Sequence, residues 1–398
     1  MLSRHACIGE SDSRSSVYIG DARTYVPSIT ASALISIPSF QHNTTQHKPK
    51  MLQSKPVLVL LLLAASTVAT VGKPLLTKVT KGGASTALYT APLSAGRPLV
   101  FDLSAPAITT PCSGQTTTVT LSANSTDGSN PLSPVSFAAT ATCAAAPSGS
   151  VGVAGLARSG FSFPAQVSST QKVSNSFALC LPSDGVGAAI FGGGPFFLAP
   201  PADRPAITTL LSDGVPLRQP FAGNPGYFVS ATNGIAIDGT RVAVSGSGAL
   251  VVGLSSTTPY AQLRSDVYRP FITAFDRAMG SSAKVAAVAP FELCYDSSKL
   301  SPTLSGYSVP QVDVMLEGGT NFTVVGGNSM AQVNSGTACF AFVQSGASTG
   351  ATPAVVIGGF QMENKLVVLD NDKKTLSFTP YLPARGFSCS NFNFTRAG

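Results

Sequence analysis

The sequence predicts an all-β fold built from two related lobes. The chain of 398 residues contains 38 Gly and 29 Pro, and only 11% of its residues are charged. Short apolar segments separated by turn residues are typical of all-β proteins, and long helical heptads are absent. Two apolar strands about 150 residues apart each end in a loop of small residues, at Asp102 and at Ser255. We therefore expect two lobes that each contribute one loop to a shared cleft.

The N-terminal region carries a predicted leader. An apolar run at residues 57–65 follows Met51 and precedes a segment of small residues. This pattern predicts a secretory signal peptide at residues 51–72, and the run is too short to predict a membrane span. We interpret Met51 as the true start and residues 1–50 as an upstream gene-model extension; a transit peptide is the alternative, which the acidic residues of this segment oppose. An extracellular location is therefore expected.

The rest of the chain divides into two lobes. We assign residues 73–200 to an N-terminal lobe and residues 226–398 to a C-terminal lobe, with the Pro-rich segment 195–225 as their connection. A short helix is predicted to begin near Phe161, and apolar residues at helical spacing predict an amphipathic helix over residues 266–279. The second lobe also has predicted strands at residues 312–316, 322–325, 338–343, 354–357, 366–369 and 375–378.

Composition excludes several kinds of site. The formal net charge of +7 is spread along the chain without a stripe of Lys and Arg interleaved with aromatic residues, so nucleic-acid binding is not expected. All three histidines, His5, His42 and His47, lie in the leader, which excludes Ser-His-Asp and Cys-His nucleophiles in the mature chain. No cluster of cysteines or carboxylates has zinc spacing. We expect no metal, no cofactor, no membrane partner and a monomer.

Cysteine content indicates a disulfide-bonded secreted protein. Without the leader six cysteines remain, which are Cys112, Cys143, Cys180, Cys294, Cys339 and Cys389. An even number behind a secretory signal favours disulfides over metal or thiol chemistry, although six cysteines permit 15 pairings. Three sequons predict N-glycosylation at Asn124, Asn321 and Asn393.

Seven motifs in a fixed order carry a resemblance to a known family. They are GVAGLA at 152–157, FALCLP at 177–182, IFGGG at 190–194, DVYRP at 266–270, APFELCYD at 289–296, VIGGFQME at 356–363 and NFNFTR at 391–396. In these motifs the chain resembles the plant members of the pepsin-like aspartic protease superfamily. It is most similar to the non-catalytic xylanase inhibitors of cereals (the TAXI type), with basic globulins and glucanase inhibitors as relatives. The resemblance implies an all-β, bilobal pepsin-like fold with a central cleft.

One departure from the family follows the first loop. Relatives carry several tens of additional residues there, with a cysteine-rich portion and a hairpin flap over the cleft, whereas here Asp102 is separated from Cys112 by nine residues. We therefore expect a shortened N-terminal lobe. The resemblance implies three disulfide pairs among the six remaining cysteines, Cys112–Cys143, Cys294–Cys339 and, between the lobes, Cys180–Cys389.

The same resemblance predicts a protein without peptidase activity. Aspartic proteolysis needs two carboxylates that share one proton, one of which activates water. Asp102 occupies the place of the first carboxylate, but Ser255 occupies the place of the second, and no Asp-Thr-Gly or Asp-Ser-Gly occurs in the chain. Both positions are interpreted as vestigial. Asp102 is expected to be a buried carboxylate that is hydrogen-bonded to neighbouring hydroxyls, and Asp296 is expected to cap a turn.

The resemblance further implies a binding function. The resembled inhibitors block family-11 microbial xylanases with loops of the second lobe, and a histidine just before the last cysteine contacts the enzyme's acids. Here Ala384 and Arg385 stand in that region, and Arg385 is predicted to pair with a catalytic glutamate. The matching leucine-bearing loop spans residues 300–307, with Leu304 as the expected anchor and Tyr307 beside it. An inhibitor of microbial xylanases or related glycoside hydrolases is the leading hypothesis; the alternatives are a storage-type globulin and a residual aspartic endopeptidase.

Overall fold

The structure is a computed structural model, and it describes residues 72–82, 88–128, 131–198, 206–244, 248–281, 283–346 and 352–394. All of these belong to one compact unit, Thr67–Gly398. The expected upstream extension and all but the last residue of the expected signal peptide lie outside the described residues. Within the described residues, no helix is long and apolar enough to cross a membrane.

The first lobe is formed by nine strands and one helix. The strands are β1 (Leu75–Lys81), β2 (Tyr89–Ser94), β3 (Arg97–Asp102), β4 (Ile108–Thr110), β5 (Thr116–Ser125), β6 (Ser133–Cys143), β7 (Val153–Gly155), β8 (Ser176–Cys180) and β9 (Val186–Phe191). Helix α1 (Phe163–Gln171) begins two residues after Phe161, with Pro164 in its first turn, where proline's missing N–H has no helical partner to lose. The pairing of β1 with β5 closes the order β1-β2-β3-β7-β4-β6-β5 into a barrel.

The second lobe and its approach contain short strands and three helices. The strands are β10 (Val215–Pro216), β11 (Phe228–Ala231), β12 (Gly234–Ile237), β13 (Thr240–Arg241), β14 (Leu250–Leu254), β15 (Ala261–Leu263), β16 (Lys284–Val285), β17 (Cys294–Asp296), β18 (Pro302–Thr303), β19 (Gly306–Tyr307), β20 (Val312–Met315), β21 (Asn321–Val324), β22 (Met330–Asn334), β23 (Thr337–Phe340), β24 (Phe342–Gln344), β25 (Val355–Ile357), β26 (Leu366–Asp370) and β27 (Thr375–Phe378). The helices are α2 (Ser265–Met279), α3 (Gly326–Ser329) and α4 (Gly359–Met362). The long helix and five of the six strands that the sequence predicted in this lobe are present, with ends that differ by at most one residue. The prediction of one strand at residues 338–343 was wrong, because β23 ends at Phe340 and β24 begins at Phe342 in a different sheet.

Helix α2 buries one apolar face against the core of the second lobe. Its buried residues recur every three or four positions and face the second-lobe core; they are Val267, Tyr268, Phe271, Ile272, Phe275 and Met279. Asp266 lies in the first turn and Arg277 in the last, where each charge complements the helix dipole. The helix packs beside β12 and β24, and one wall of a surface groove is therefore helical.

The same strand arrangement occurs once in each lobe. In the first lobe, β3 pairs with β7 in parallel, β7 pairs with β4 in antiparallel, and β4 pairs with β6 in parallel. In the second lobe β14, β25, β15 and β24 repeat this pattern with the same directions. Strands β3 and β14 each consist largely of consecutive buried residues, as expected for strands covered on both faces. The predicted relation between the two lobes is confirmed.

A sheet that is shared between the lobes holds them together. Its order is β10-β27-β26-β8-β9-β1, and the junction is the antiparallel pair of β26 from the second lobe with β8 from the first. A disulfide between Cys180 and Cys389 lies at the same junction. The other two disulfides join Cys112 to Cys143 and Cys294 to Cys339. The pairing is the one that the resemblance implied.

Candidate functional site

Each lobe delivers one loop to the centre of the molecule. Strand β3 ends at Asp102, and strand β14 ends at Leu254, directly before Ser255. Backbone bonds fix both loops to the neighbouring strand: the N–H of Leu156 donates to the carbonyl of Asp102 at 2.8 Å, and the N–H of Ser255 donates to the carbonyl of Ile357 at 3.0 Å. The two loops are thus held in equivalent places on equivalent strands.

One side chain connects the two loops. The Ser256 hydroxyl donates to the carbonyl oxygen of Phe101 at 2.8 Å and accepts a hydrogen bond from the N–H of Leu103 at 3.1 Å. Ser256 is 1% exposed, so both bonds lie out of water. Leu103 follows Asp102 in the first loop as Ser256 follows Ser255 in the second. Because leucine has no hydroxyl, the Leu103 side chain cannot form the equivalent hydrogen bonds to the backbone of the second loop. The connection therefore runs in one direction only.

Asp102 and Ser255 have different surroundings. The N–H and the hydroxyl of Ser104 both donate to Oδ1 of Asp102, at 2.8 and 2.6 Å. Asp102 is half-buried rather than buried, which corrects the expectation of full burial, because its hydroxyl partner is itself exposed. Ser255 is 9% exposed and its hydroxyl accepts from the N–H of Thr258 at 3.1 Å. The loop from residue 250 to residue 260 contains no carboxylate, so Asp102 faces hydroxyls and not a second acid.

A hairpin of the second lobe carries the expected anchor. Strands β18 and β19 pair through Thr303 and Gly306, and the turn between them consists of Leu304 and Ser305. Leu304 is 76% exposed, whereas Leu300 at the start of the segment is buried. The Tyr307 hydroxyl donates to the side-chain oxygen of Gln332. Leu304 is therefore presented to solvent at the tip of a hairpin whose base is fixed.

Close backbone contacts attach this hairpin to helix α3. The N–H of Gly327 donates to the carbonyl of Ser305 at 2.6 Å. A Cβ added at Gly326 would lie 1.9 Å from the carbonyl oxygen of Tyr307, and one added at Gly327 would lie 2.3 Å from the Tyr381 hydroxyl. Only glycine allows such approach, so the hairpin, the helix and Tyr381 pack as one body.

The segment after Tyr381 carries the other predicted contacts. Residues Leu382–Arg385 form one turn of 3-10 helix that ends at Gly386, whose φ of 75° suits glycine. Ala384 and Arg385 are both exposed. They border a cavity of about 380 Å³ together with Ser305 of the hairpin turn. The structure thus brings the two predicted contact segments to the rim of one cavity, which we call the two-loop cavity. This cavity is lined by Leu210, Ser212, Ser305, Gln311, Asn321, Thr323, Val325, Lys365, Phe378, Thr379, Pro380, Tyr381, Ala384 and Arg385.

Lys365 contributes an unusual positive charge to this cavity. The residue is 1% exposed, and its ammonium donates only one hydrogen bond within the described residues, to the carbonyl of Thr379 at 3.4 Å. It also lies 5.0 Å from the centre of the Phe322 ring. Burial lowers the pKa of Lys365 to about 7, and the buried carboxylate of Asp313 opposes that shift only in part. The Lys365 amine in the cavity wall therefore gains and loses its proton near neutral pH.

A second buried charge lies between the lobes. Oε1 of Glu363, in the second lobe, accepts hydrogen bonds from the Tyr89 hydroxyl and from the Lys81 ammonium, each at 2.6 Å. Tyr89 and Lys81 both belong to the first lobe. Burial raises the pKa of Glu363, and the charge of Lys81 opposes this shift. The three groups fasten the two lobes to each other beside the cleft.

The three predicted glycosylation sites differ in position. Asn124 is half-buried within β5, Asn393 is exposed near the end of the described chain, and Asn321 is exposed at the start of β21. Asn321 lines the two-loop cavity, so a glycan there would lie beside Arg385. All three stay predictions. Asp296 caps a turn as expected, because its Oδ1 accepts from the N–H of Ser298 at 2.9 Å.

Comparison with known proteins identifies the family. Two family models match the chain, "Xylanase inhibitor N-terminal" over residues 90–193 and "Xylanase inhibitor C-terminal" over residues 226–380. A rice protein named Chitinase CLP is 44% identical over 82% of this chain and 92% of its own length. The chain belongs to the xylanase-inhibitor family. That alignment runs over 396 positions but uses about 326 of the 398 residues, so about 70 positions lie opposite gaps in this chain.

Other relatives of this chain have different names. A protein of Nicotiana benthamiana named Probable aspartic proteinase GIP2 is 30% identical over 62% of this chain and 60% of its own length. Gamma conglutin 1 of Prunus dulcis is 32% identical over 61% of the chain and 56% of its own length. Family membership therefore leaves the target of this chain open.

Solved structures confirm the fold. The crystal structure of edgp superposes with a TM-score of 0.73 at 25% identity and covers 82% of this chain and 99% of its own. Basic 7S globulin from soybean gives a TM-score of 0.66 at 23% identity, over 81% of this chain and 99% of its own. An aspartic proteinase from Irpex lacteus still gives 0.53 at 10% identity, over 79% of this chain and 99% of its own. The all-β, bilobal pepsin-like fold is thus confirmed.

Sequence reasoning overlooked two features of the site. The bridging role of Ser256 was detectable, because the sequence repeats an apolar strand followed by a small-residue loop and Ser256 is the second residue of that loop. Lys365 gave a weaker signal, a single lysine at the start of an apolar run, and such a residue is usually exposed. Only the tertiary structure shows that it is buried against Phe322 and Thr379.

Proposed function

We propose that this protein is a secreted inhibitor of microbial glycoside hydrolases, with a family-11 endo-xylanase as its first target, and that it has no proteolytic activity. The observation that carries the proposal is the two-loop cavity: the hairpin of Leu304 and the turn of Arg385 lie far apart in sequence and border one cavity. Family membership supports the class of partner. Binding requires no cofactor and no catalytic group of this chain.

The chemistry of the target explains the role of Arg385. Xylanases of this type hold two carboxylates on either side of the bond that they cleave. An arginine guanidinium can form two parallel hydrogen bonds with a carboxylate. This interaction is stronger where the enzyme's cleft excludes water. Arg385 is exposed at the end of a fixed helical turn, so it reaches such a cleft without rearrangement.

Leu304 supplies the apolar part of the contact. A leucine with 76% of its surface exposed gains by burial in a partner, and full burial of such a side chain is worth about 1.5–3 kcal/mol. The glycine contacts at Gly326 and Gly327 hold the hairpin before binding, so little conformational entropy is lost on association. Arginine is enriched among the residues that carry most of the binding energy in protein interfaces, which supports Arg385 as the main contact and Leu304 as its apolar neighbour.

Proteolysis is opposed by the cleft itself. The base that activates water in an aspartic protease is a carboxylate paired with a second carboxylate. Asp102 accepts two hydrogen bonds from Ser104, and the opposite loop offers Ser255 and Ser256. A serine hydroxyl does not act as that base at acidic or neutral pH. Glycoside hydrolysis in the cleft is opposed for the same reason, because it also needs two carboxylates.

The test is titration of purified mature protein against a panel of fungal and bacterial xylanases, with a glucanase and a chitinase included. Inhibition of at least one family-11 enzyme is expected. In that pair, Arg385→Ala and Leu304→Ser should each raise the inhibition constant by about tenfold or more, which corresponds to about 1.4 kcal/mol. Arg97→Ala and Phe161→Ser are matched controls, because both residues are exposed on the first lobe. Inhibition that survives both test variants unchanged contradicts the proposed surface.

A storage-type globulin is the second candidate. It is supported by a relative in Glycine max that is named Basic 7S globulin and is 29% identical over 63% of this chain and 59% of its own length. The same panel separates the two, since a globulin would inhibit none of the enzymes at micromolar concentration.

A further inference from the structure

A groove on the second lobe is larger than the two-loop cavity and has no role in the proposed function. It has a volume of about 700 Å³ and lies between helix α2 and the hairpin of β12 and β13. The groove is lined by Ile237, Asp238, Thr240, Arg241, Val242, Ala243, Arg269, Pro270, Thr273, Ala274, Arg277 and Ala278. Three of these residues are arginines and one is an aspartate, so we call it the arginine groove.

The arginines lie on both walls. Arg269 and Arg277 are eight residues apart on α2, which places them about 12 Å apart along the helix axis. Arg241 faces them from the end of β13. All three are exposed. At this spacing the three guanidinium groups are too far apart to bind one small anion together. They could contact an extended ligand that lies along the groove.

Two of the three guanidinium groups have no acidic partner. Among the described residues, neither Arg241 nor Arg277 forms a salt bridge or donates a side-chain hydrogen bond, whereas Arg269 donates to Oε2 of Glu292 at 2.8 Å. The single acid in the lining, Asp238, accepts from the N–H of Gln311 at 2.7 Å. Three arginines thus stand against Asp238 in the lining and Glu292 beside it, so the groove keeps a net positive charge.

The floor and the polar groups limit the type of ligand. The floor consists of small or buried apolar residues, such as Ala243, Ala274 and Ala278, and no lining residue is aromatic. Nucleic-acid strands are held by aromatic stacking as well as by cations, so this groove does not suit them. A protein partner would require a deep apolar pocket for an anchor, which small residues do not form. Thr240 and Thr273 instead offer hydroxyls.

We propose that the arginine groove binds an oligosaccharide that carries carboxylates, that is, a segment of a linear polyuronate. Arginine forks match carboxylates in a bidentate way, and the threonine hydroxyls match the hydroxyls of the sugar. A single exposed arginine contributes little, so affinity requires a polymer that meets two or three of them together. A basic protein would be retained by such a polymer while its two-loop cavity stays free.

Binding to immobilised, de-esterified polygalacturonate tests this directly, with the fully methyl-esterified polymer as the neutral comparison. The wild-type chain should bind the acidic polymer and not the ester, and the affinity should fall as salt rises from about 20 to 150 mM. The double variant R241Q/R277Q should lose about tenfold or more in affinity. Arg97→Gln is the charge-matched control, because Arg97 is exposed on the first lobe, and it should change the affinity by less than about twofold.

Three results would overturn the proposal. The first is a double variant that binds as tightly as the wild type, and the second is an equal loss in the Arg97 control, which would indicate net charge alone. The third is a sulfated polymer, heparin, that binds as tightly as polygalacturonate or more tightly, which would remove the assignment to carboxylates. Thermal unfolding of each variant shows that it is folded. Xylanase inhibition by the double variant should equal that of the wild type, so failure here and failure of the inhibitor proposal give different results.

Discussion

Two pairs of segments that are distant in sequence come together in this protein, and different contacts hold each pair. The first pair is the two cleft loops, at Asp102 and Ser255, and the second is the Leu304 hairpin and the Arg385 turn at the two-loop cavity. In the cleft, Ser256 bridges the loops through buried hydrogen bonds to Phe101 and Leu103. At the two-loop cavity, the segments are joined by glycine contacts and present Leu304 and Arg385 to solvent. The difference shows that buried hydrogen bonds hold the two loops of the cleft together, whereas close glycine contacts hold the two segments that expose side chains at the two-loop cavity.

The largest effect is expected at the glycine contacts. Gly326→Ala places a Cβ 1.9 Å from the carbonyl oxygen of Tyr307, so the hairpin must move. We expect a loss of about 3 kcal/mol in the free energy of unfolding and about a hundredfold weaker inhibition of the susceptible xylanase, measured by chemical denaturation and by titration. Gly160→Ala is the control, because a Cβ there meets no atom within 4 Å. An intact inhibition constant in the Gly326 variant would show that the hairpin does not contact the enzyme.

The next effect concerns the charge behind the two-loop cavity. Burial lowers the pKa of Lys365 from 10.5 to about 7, so the unfolded chain binds this proton more tightly than the folded protein does. The resulting cost to folding is full below about pH 7 and disappears as the pH rises towards 10.5. Lys365→Met should therefore raise the free energy of unfolding by about 2–3 kcal/mol at pH 5 and by less than about 1 kcal/mol at pH 10.

Denaturant unfolding at the two pH values checks that difference. The control is Lys299→Met, because Lys299 is exposed and its removal should leave the pH dependence unchanged. A Lys365 variant with the same gain at both pH values would mean that packing, and not desolvation of the charge, sets the cost.

A smaller effect is expected from breaking the connection in the cleft. Ser256→Ala leaves the N–H of Leu103 and the carbonyl of Phe101 without their buried partner, which should lower the free energy of unfolding by about 1–2 kcal/mol. Ser104→Ala removes bonds from an exposed hydroxyl and should cost less than about 0.5 kcal/mol. Inhibition measured well below the melting temperature should not change in either variant. If Ser256→Ala weakened inhibition as much as Gly326→Ala, the two regions would not be separate.

More of the fold than of the candidate site could be predicted from the sequence. The repeated loops at Asp102 and Ser255 predicted two lobes, because strands buried on both faces leave long apolar runs and the loops that follow them are rich in small residues. The helix over residues 266–279 was predictable from its spacing of apolar positions, and α2 covers it. These features depend on residues that are close together in the chain, so they can be predicted from one sequence alone.

The arrangement of the site was beyond such reasoning. Ser305 and Arg385 are 80 residues apart and border one cavity because Gly326 lets the backbone of Tyr307 approach and Gly327 lets the Tyr381 ring approach. A glycine in a sequence does not tell which segment approaches it. The burial of Lys365 and the half-burial of Asp102 likewise depend on residues from other strands. Groups whose properties arise from contacts distant in sequence are those that the structure had to supply.

The last prediction concerns the missing acid. Ser255→Asp would restore two carboxylates to the cleft, yet we expect no cleavage of denatured protein at pH 3–5 by this variant or by the wild-type chain. In an aspartic protease the two acids share a proton only when both loops are held in the same geometry, and here the connection is one-sided because Leu103 has no hydroxyl to return the bond that Ser256 makes. Pepstatin-sensitive cleavage by the variant would show that one carboxylate was all that the cleft lacked. The same cleavage by the wild type would falsify the assignment of a non-proteolytic function.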